Sequence, residues 1–216
     1  MAVQNDLKSD AVFIVIDTET SGLKSSENGL IQLGSLALNS AFEIIDTFDY
    51  IVCPPIDTNI VDESIQISGI TRDQIKNGIS YREVCEKYTR FVQKNFLEKP
   101  IVIAQFFPFD YGFLEQVFTI ACKESKIDYE ISQFPFQDLL SRNVIDTKTL
   151  ANIINIKSKL QEKAPMFTST SLSGLGGLKE VLGIPSDTFT AHNALGDCLA
   201  TREVLIKLLK LVEIIF

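Results

Sequence analysis

Two acidic residues, Asp17 and Glu19, follow an apolar run in the stretch FIVIDTETSGL, with a single threonine between them. In an extended chain, side chains at positions i and i+2 lie on the same face, about 7 Å apart along the strand. Carboxylates this close beside a covered sheet repel each other unless a cation neutralises them, and hard divalent ions prefer oxygen ligands. The pair therefore suggests a metal site. The alternative is that the strand ends at Ile16 and that these polar residues form a solvated turn.

A third acidic residue, Asp110, is in line with the apolar face of a predicted helix, at spacings of 3, 4, 7, 8 and 11 residues from its apolar members. An acid at the head of an inward stripe, just past a buried strand, is typical of a ligand site at the edge of a sheet. The alternative is that Asp110 caps this helix.

A fourth acidic residue, Asp197, shares the core face of the last predicted helix with Thr201 and Val204. A buried carboxylate without a partner is costly, so such a residue usually faces a metal, an arginine or a helix N-terminus. Arg202 and Lys207 point elsewhere on the helical wheel, and we favour a metal.

The only histidine, His192, lies five residues before Asp197. Five helical positions separate side chains by about 140° around the axis, so we place His192 in the loop ahead of the helix rather than on the face of Asp197. There its imidazole, which changes charge near neutral pH, could take a proton from a water molecule at the site. A single histidine cannot complete a multi-histidine zinc site. The alternative is an ordinary polar loop residue.

Apolar periodicity predicts the elements that position these residues. The run 11–17 indicates a strand covered on both faces, and the runs 30–38 and 42–52, joined by a short loop, indicate an antiparallel hairpin. Two more short strands are predicted at 101–104 and 143–146, and helices at 81–96, with Ser80 as N-cap, and at 111–123, 147–156 and 194–215. The polar stretch 157–170 is expected to be a loop, and Ser173 to cap a short helix that Gly183 ends. The order of elements predicts an α/β fold.

Composition limits the classes of function. The 216 residues are 45% hydrophobic, without a run long enough to span a membrane or an N-terminal secretory pattern, so we expect a cytoplasmic protein of one domain, 1–216, with no membrane partner. Four scattered cysteines fit reduced thiols. A net charge of −8 argues against a broad basic surface for duplex nucleic acid.

Three stretches, VIDTETSGL, AQFFPFDYGFL and HNALGD, resemble in order the motifs of the DEDDh group of 3′-to-5′ exonucleases. This DnaQ-like superfamily includes the proofreading epsilon subunit of bacterial DNA polymerase III, ribonuclease T and oligoribonuclease. With softer matches at 69–71, 144–147 and 175–184, the resemblance covers nearly the whole chain. It implies a ribonuclease H-like mixed β-sheet flanked by helices.

The resemblance also implies roles for particular residues. Asp17, Glu19, Asp110 and Asp197 would hold two Mg²⁺ or Mn²⁺ ions around the terminal phosphodiester, and His192 would be the general base. Thr18 and Thr20 would contact the terminal nucleotide, and Leu23 would pack on its base.

The implied activity is removal of nucleoside monophosphates from single-stranded DNA ends. Two alternatives stay open: a ribonuclease acting on RNA 3′ ends or short oligoribonucleotides, and a non-catalytic module that binds nucleic acid or a polymerase. The candidate partners are single-stranded DNA or RNA 3′ ends and a DNA polymerase. The sequence does not indicate an oligomeric state.

The chain departs from the family pattern in one place. Gln105 and Phe106 occupy the positions where His-Asn is common, and Phe106, Phe107 and Phe109 make the loop apolar. Substrate preference at this edge is therefore expected to differ. Phe106 or Phe107 could stack on bases of a single strand, although core packing is the usual role of phenylalanine.

Overall fold

The computed structural model describes residues 10–124, 136–185, 189 and 192–213. Within them, six strands form one mixed sheet in the order β4-β3-β2-β1-β5-β6. The strands are β1 Phe13–Thr20, β2 Leu30–Leu38, β3 Ile44–Cys53, β4 Ile79–Ser80, β5 Ile101–Ala104 and β6 Val144–Asp146.

The helices of the described residues flank this sheet. They are α1 Asp62–Ser68, α2 Arg72–Lys76, α3 Tyr81–Asn95, α4 Phe107–Glu124, α5 Phe136–Leu139, α6 Thr147–Leu160, α7 Leu178–Val181 and α8 Ala194–Leu211. The predicted α/β fold with a mixed β-sheet flanked by helices is confirmed. No helix in the described ranges is both long and apolar enough to cross a membrane.

The sheet has an antiparallel half and a parallel half. Strand β2 pairs antiparallel with both β1 and β3, which confirms the predicted hairpin, whereas β1, β5 and β6 run parallel. The hairpin loop is fixed by Asn39, whose side-chain oxygen accepts hydrogen bonds from the backbone of Ala41 and Glu43. Parallel neighbours need helical crossovers, so the chain alternates between strands and helices after β4.

Two layers of helices cover the sheet, one on each face. Ile14 and Ile16 of β1 pack in a cluster with α3 and α4, which supply Val84 and Leu114 among others. Val15 packs on the opposite face with Cys198 and Leu205 of α8. Burial of each large apolar side chain contributes about 1.5–3 kcal/mol, and this packing fixes the orientation of β1. By alternation, Asp17 and Glu19 belong to the face of α8, and Thr18 belongs to the face of α4.

Several predicted boundaries hold. Strands β2 and β5 have the predicted ends, and Ser80 caps α3 through a capping box with Glu83. The end of the last helix, predicted at 215, lies partly outside the described residues; α8 itself ends at Leu211.

Other boundaries are corrected. Helix α4 begins at Phe107 rather than at 111, because the Phe107 backbone N–H bonds to a carboxylate oxygen of Asp146, 2.9 Å away, and Phe107 packs against the main apolar cluster. The reading of Asp110 as a helix cap is therefore wrong. Helix α6 continues to Leu160, into the predicted polar loop. Lys157 and Lys159 lie in its last turn, where their positive charges interact favourably with the negative end of the helix dipole.

The short helix near Gly183 is also corrected. Its N-cap is Gly177 and not Ser173. The reason is that the backbone N–H of Leu178 bonds to Ser171 and that of Lys179 to Leu172, which sets the start of α7 from the preceding loop. The helix ends at Val181, two residues before Gly183, which has a positive φ of 65°.

Candidate active site

The second half of β1 forms an open edge of the sheet. The ladder between β1 and β5 stops at the pair Val15 and Ile103, and β5 itself ends at Ala104. Beyond Val15, strand β1 continues to Thr20 and is paired with β2 but not with β5. The alternative that the strand ends at Ile16 is therefore wrong. Because nothing in the sheet covers this edge, side chains from both helical layers can approach Asp17 and Glu19.

Three carboxylates meet at this edge on the face of α8. Asp17, Glu19 and Asp197 each offer one oxygen atom, and these three atoms lie within 4.8 Å of one another. The two carboxylate oxygens of Asp197 differ in their hydrogen bonding. Its Oδ2 accepts the backbone N–H of His192 at 3.1 Å, whereas its Oδ1 is buried and has no hydrogen-bond partner among the described residues.

Asp110 reaches the same edge from the other helical layer. It is only 3% exposed, and its Oδ1 accepts a 2.7 Å hydrogen bond from the Thr18 hydroxyl. Asp110 is not one of the three carboxylates that meet within 4.8 Å, but its charge is close enough to raise the pKa values of Asp17 and Glu19. The structure thus gathers all four predicted acids around the end of β1.

Burial and mutual repulsion both disfavour ionisation of these acids. Burial, together with the charges of Asp110, Asp197 and Glu19, holds the pKa of Asp17 well above its usual range. Burial and the neighbouring acids raise the pKa of Glu19 to about 7. Burial also raises the pKa of Asp110 to about 7, although the Thr18 hydrogen bond opposes the shift. The pKa of Asp197 is raised by burial and lowered in part by the His192 N–H.

These observations fit a divalent cation. The donors are carboxylate oxygens, which suit Mg²⁺ and Mn²⁺, and a cation would relieve the repulsion that helps to raise the pKa values of Asp17 and Glu19. The Oδ1 of Asp197 is buried and has no hydrogen-bond partner in the part of the chain that the structure describes, and a ligand would explain this best.

The start of α8 is held against the sheet by residues that sequence reasoning missed. Gly34 on β2, opposite Asp17, lies so close to α8 that a Cβ atom there would be 2.5 Å from the Ala194 carbonyl carbon. Gln32, opposite Glu19, accepts a 3.1 Å hydrogen bond from the Ala194 backbone N–H. A glycine inside an apolar strand often marks close approach of another backbone, so Gly34 carried a usable signal; Gln32 carried none.

His192 lies in the loop ahead of α8, as predicted, one residue before the N-cap Asn193. Its backbone has a positive φ of 57°, and its side chain is exposed. The N–H that bonds to Asp197 belongs to the same residue, so the loop conformation and the carboxylate orientation are coupled. The backbone of His192 is therefore anchored next to the acidic cluster, and the side chain is accessible to solvent.

The three predicted substrate contacts differ in their surroundings. Leu23 is 83% exposed, in the loop after β1. Thr20 is partly buried, and its hydroxyl donates to the Gly22 carbonyl at 2.7 Å. The Thr18 hydroxyl donates to Asp110, so the Thr18 side chain orients that carboxylate.

The loop between β5 and α4 is ordered although it lacks the usual His-Asn pair. The amide of Gln105 donates to the Thr170 carbonyl at 2.7 Å and accepts from the Thr147 hydroxyl. Phe107 packs into the core, whereas the Phe106 ring is 47% exposed. Gln105 thus ties this loop to α6 and to the segment before α7.

Comparison with known proteins adds sequence relatives. The RNase_T family model, described as an exonuclease, matches residues 14–205. The PolC-type DNA polymerase III of Thermotoga maritima is 28% identical over 94% of this chain, and that of Mycoplasmopsis pulmonis is 28% identical over 86%. The chain spans only 12% and 10% of the length of these two relatives.

Solved structures share the fold. E. coli exonuclease I in complex with a dT13 oligonucleotide superposes with a TM-score of 0.65 and 16% identity, covering 93% of this chain and 41% of the other. A 3′-exonuclease that recognises a histone mRNA stem-loop has a TM-score of 0.62 and 19% sequence identity, covering 94% of this chain and 65% of the other. Cell-death related nuclease 4 has a TM-score of 0.67 and 18% sequence identity, covering 94% of this chain and 64% of the other.

Proposed function

Because the chain belongs to the RNase_T family of exonucleases, we propose that it is a metal-dependent 3′-to-5′ exonuclease with a single exonuclease domain. Its substrate is the 3′ end of single-stranded DNA, and its products are nucleoside monophosphates. The observation that carries this proposal is the cluster of Asp17, Glu19 and Asp197, in which a buried carboxylate oxygen has no protein partner among the described residues.

The acidic cluster would hold two Mg²⁺ or Mn²⁺ ions, with Asp17, Glu19 and Asp197 as ligands and Asp110 supplying a further oxygen. When bound, such ions lower the pKa of water and stabilise negative charge on the leaving 3′ oxygen. The protein supplies rigid placement of the donors: β1 fixes two of them, and α8 and α4 bring the others from opposite faces.

His192 is the general base in this proposal. Its exposed imidazole would accept the proton of the water that attacks the terminal phosphodiester. The bond from its backbone N–H to Asp197 sets the position of the residue relative to the cluster. Leu23, which is exposed beside the end of β1, would pack on the terminal base, while Thr18 and Thr20 would contact the terminal nucleotide.

Single-stranded DNA is favoured over the alternatives on two grounds. The net charge of −8 disfavours a broad contact with duplex, and the sequence relatives are DNA polymerases. RNA 3′ ends are the second candidate substrate, because a structural neighbour recognises a histone mRNA stem-loop. The polymerase relatives also make a DNA polymerase the proposed protein partner.

A gel time course with 5′-labelled and 3′-labelled oligonucleotides of DNA and RNA tests the proposal, each with Mg²⁺, Mn²⁺ or chelator. We expect metal-dependent laddering from the 5′-labelled strand in steps of one nucleotide, faster for DNA. Asp17→Asn should abolish it, while Asp57→Asn, which alters an exposed carboxylate elsewhere, should not. Absence of cleavage by folded, metal-loaded protein would instead favour a binding module.

A further inference from the structure

We propose that Phe106 and Lys148 form a binding site for an unpaired base and its neighbouring phosphate, upstream of the nucleotide that is removed. This inference rests on the proposed function, because it concerns the path of a single strand that enters the acidic site. It assigns a substrate-binding role to a position at which this chain departs from the common His-Asn pattern.

The side chains form an exposed cation and aromatic pair. The Lys148 ammonium nitrogen lies 4.2 Å from the centroid of the Phe106 ring, and Phe106 as a residue is 47% exposed. An ammonium group at this distance is attracted by the negative face of the ring. A base can stack on an aromatic ring irrespective of its sequence, and a lysine beside the ring can bind the adjacent phosphate.

The backbone of Phe106 is held in an unusual conformation. Its φ of 67° lies in the left-handed region, which a bulky residue rarely adopts. The Phe106 carbonyl accepts the backbone N–H of Phe109, and the residues on either side are fixed by Gln105 bonding to Thr170 and by Phe107 bonding to Asp146. The ring is therefore presented to solvent by a rigid loop, which reduces the entropy lost when a base binds.

The pair lies at the border of the acidic site. Phe106 is two residues past the end of β5 and four residues before Asp110. It lies near the level at which β1 continues towards Asp17 without pairing to β5. The protein as a whole is acidic, so a lysine at this border supplies positive charge where a strand leaving the site needs it.

A second pair in the fold provides a matched control. Lys87 lies 5.3 Å from the ring of Tyr50, which is 37% exposed. Tyr50 is on β3, separated from β1 by β2, whereas Phe106 follows β5 on the other side of β1. The two pairs have similar chemistry but only one of them adjoins the acidic site.

The absence of tryptophan from the chain permits a binding test that does not depend on activity. Phe106→Trp and Tyr50→Trp each introduce a single tryptophan whose emission reports stacking. We expect a phosphorothioate oligothymidylate, which resists hydrolysis, to quench the emission of Phe106→Trp in Mg²⁺ and to leave that of Tyr50→Trp unchanged. No quenching of Phe106→Trp by an oligonucleotide that the protein cleaves in its unmodified form would overturn the inference and leave the proposed function intact.

Kinetics test the two side chains separately. For Phe106→Ala we expect the KM for an oligonucleotide to rise about tenfold more than the KM for the p-nitrophenyl ester of thymidine 5′-monophosphate, which has no upstream base. An equal rise for both would overturn the assignment to an upstream base. Lys148→Met should reduce the slope of log affinity against log salt by about 0.7, and an unchanged slope, as expected for Lys87→Met, would remove the phosphate contact.

Discussion

Thr18 on strand β1 and Asp110 on helix α4 are joined by a 2.7 Å hydrogen bond from the Thr18 hydroxyl to the Asp110 Oδ1. The bond connects β1 to α4, and it opposes the effect of burial on the pKa of Asp110. A threonine that the family pattern associates with the nucleotide is thus also a support for one of the four acids.

Removal of this hydroxyl should weaken both the fold and the site. Thr18→Val removes the hydroxyl donor from a buried carboxylate, and we expect the free energy of unfolding to fall by about 1–2 kcal/mol. Because the variant leaves Asp110 poorly oriented, kcat should fall by about 10- to 100-fold. Denaturant unfolding and steady-state exonuclease assays measure the two effects. Thr18→Ser, which retains the hydroxyl, should restore most of the activity, and equal losses in both variants would contradict this role.

The raised pKa values predict a pH-dependent stability in the absence of metal. Glu19 and Asp110 have pKa values of about 7 in the folded protein, above the ordinary values near 4, so the folded state binds more protons between these limits. Their contribution to stability is present at low pH and is lost as the pH rises through about 7. In chelator, we therefore expect a melting temperature about 5 °C or more higher at pH 5.5 than at pH 8.

Divalent metal should reverse this dependence. Mg²⁺ or Mn²⁺ binds the ionised carboxylates, so the metal-induced increase in melting temperature should be larger at pH 8 than at pH 5.5. Asp17→Asn should melt higher than the unmodified protein in chelator at pH 8, because it removes one of the repelling charges. A melting temperature that rises from pH 5.5 to pH 8 in chelator would argue against clustered, protonated acids.

The role of His192 can be tested without disturbing its backbone. Asparagine tolerates the left-handed conformation that His192 adopts, so His192→Asn should retain the fold and the backbone bond to Asp197. We expect kcat to fall by about 10²- to 10⁴-fold, the usual contribution of a general base, with the metal-induced increase in melting temperature preserved. Turnover equal to that of the unmodified protein would remove His192 from the mechanism.

Gly34 should be required for the position of Asp197. In Gly34→Ala, the new methyl group would clash with the backbone of Ala194, and we expect a loss of about 1–3 kcal/mol in stability together with weaker binding of Mg²⁺. Gly112→Ala is the matched control, since its nearest neighbour is the movable side chain of Ser25 at 3.2 Å. Calorimetric Mg²⁺ titration distinguishes the variants, and normal affinity in Gly34→Ala would contradict the prediction.

Local patterns in the sequence predicted much of the fold. Strand β2 and strand β5 have the expected ends because β5 is a continuous apolar run, β2 is a largely apolar one, and both are flanked by polar or turn residues. Ser80 was recognisable as a cap because its side chain bonds within the next three residues. Helix α2 was missed, although Thr71 and Gln74 form a capping box whose spacing is visible in the sequence.

Contacts between distant residues determined much of the rest that was missed. The start of α4 depends on Asp146, which is 39 positions from Phe107 along the chain. In the same way, Gln32 acquires its role only when β2 meets α8. The acids of the candidate site were identified because charged side chains conflict with their apolar surroundings. Their roles as metal ligands and the role of His192 as general base stay predictions.

The division of the four acids between two helical layers has a consequence for biosynthesis. A growing polypeptide that has not yet reached Ala194 already contains Asp17, Glu19 and Asp110 but lacks Asp197, and its β1 face has no α8 to cover it. The oxygen cluster therefore cannot be assembled on the ribosome until α8 has been translated and has docked beside Gly34. Any hydrolytic capacity of this site would therefore be absent from the nascent chain until α8 has docked.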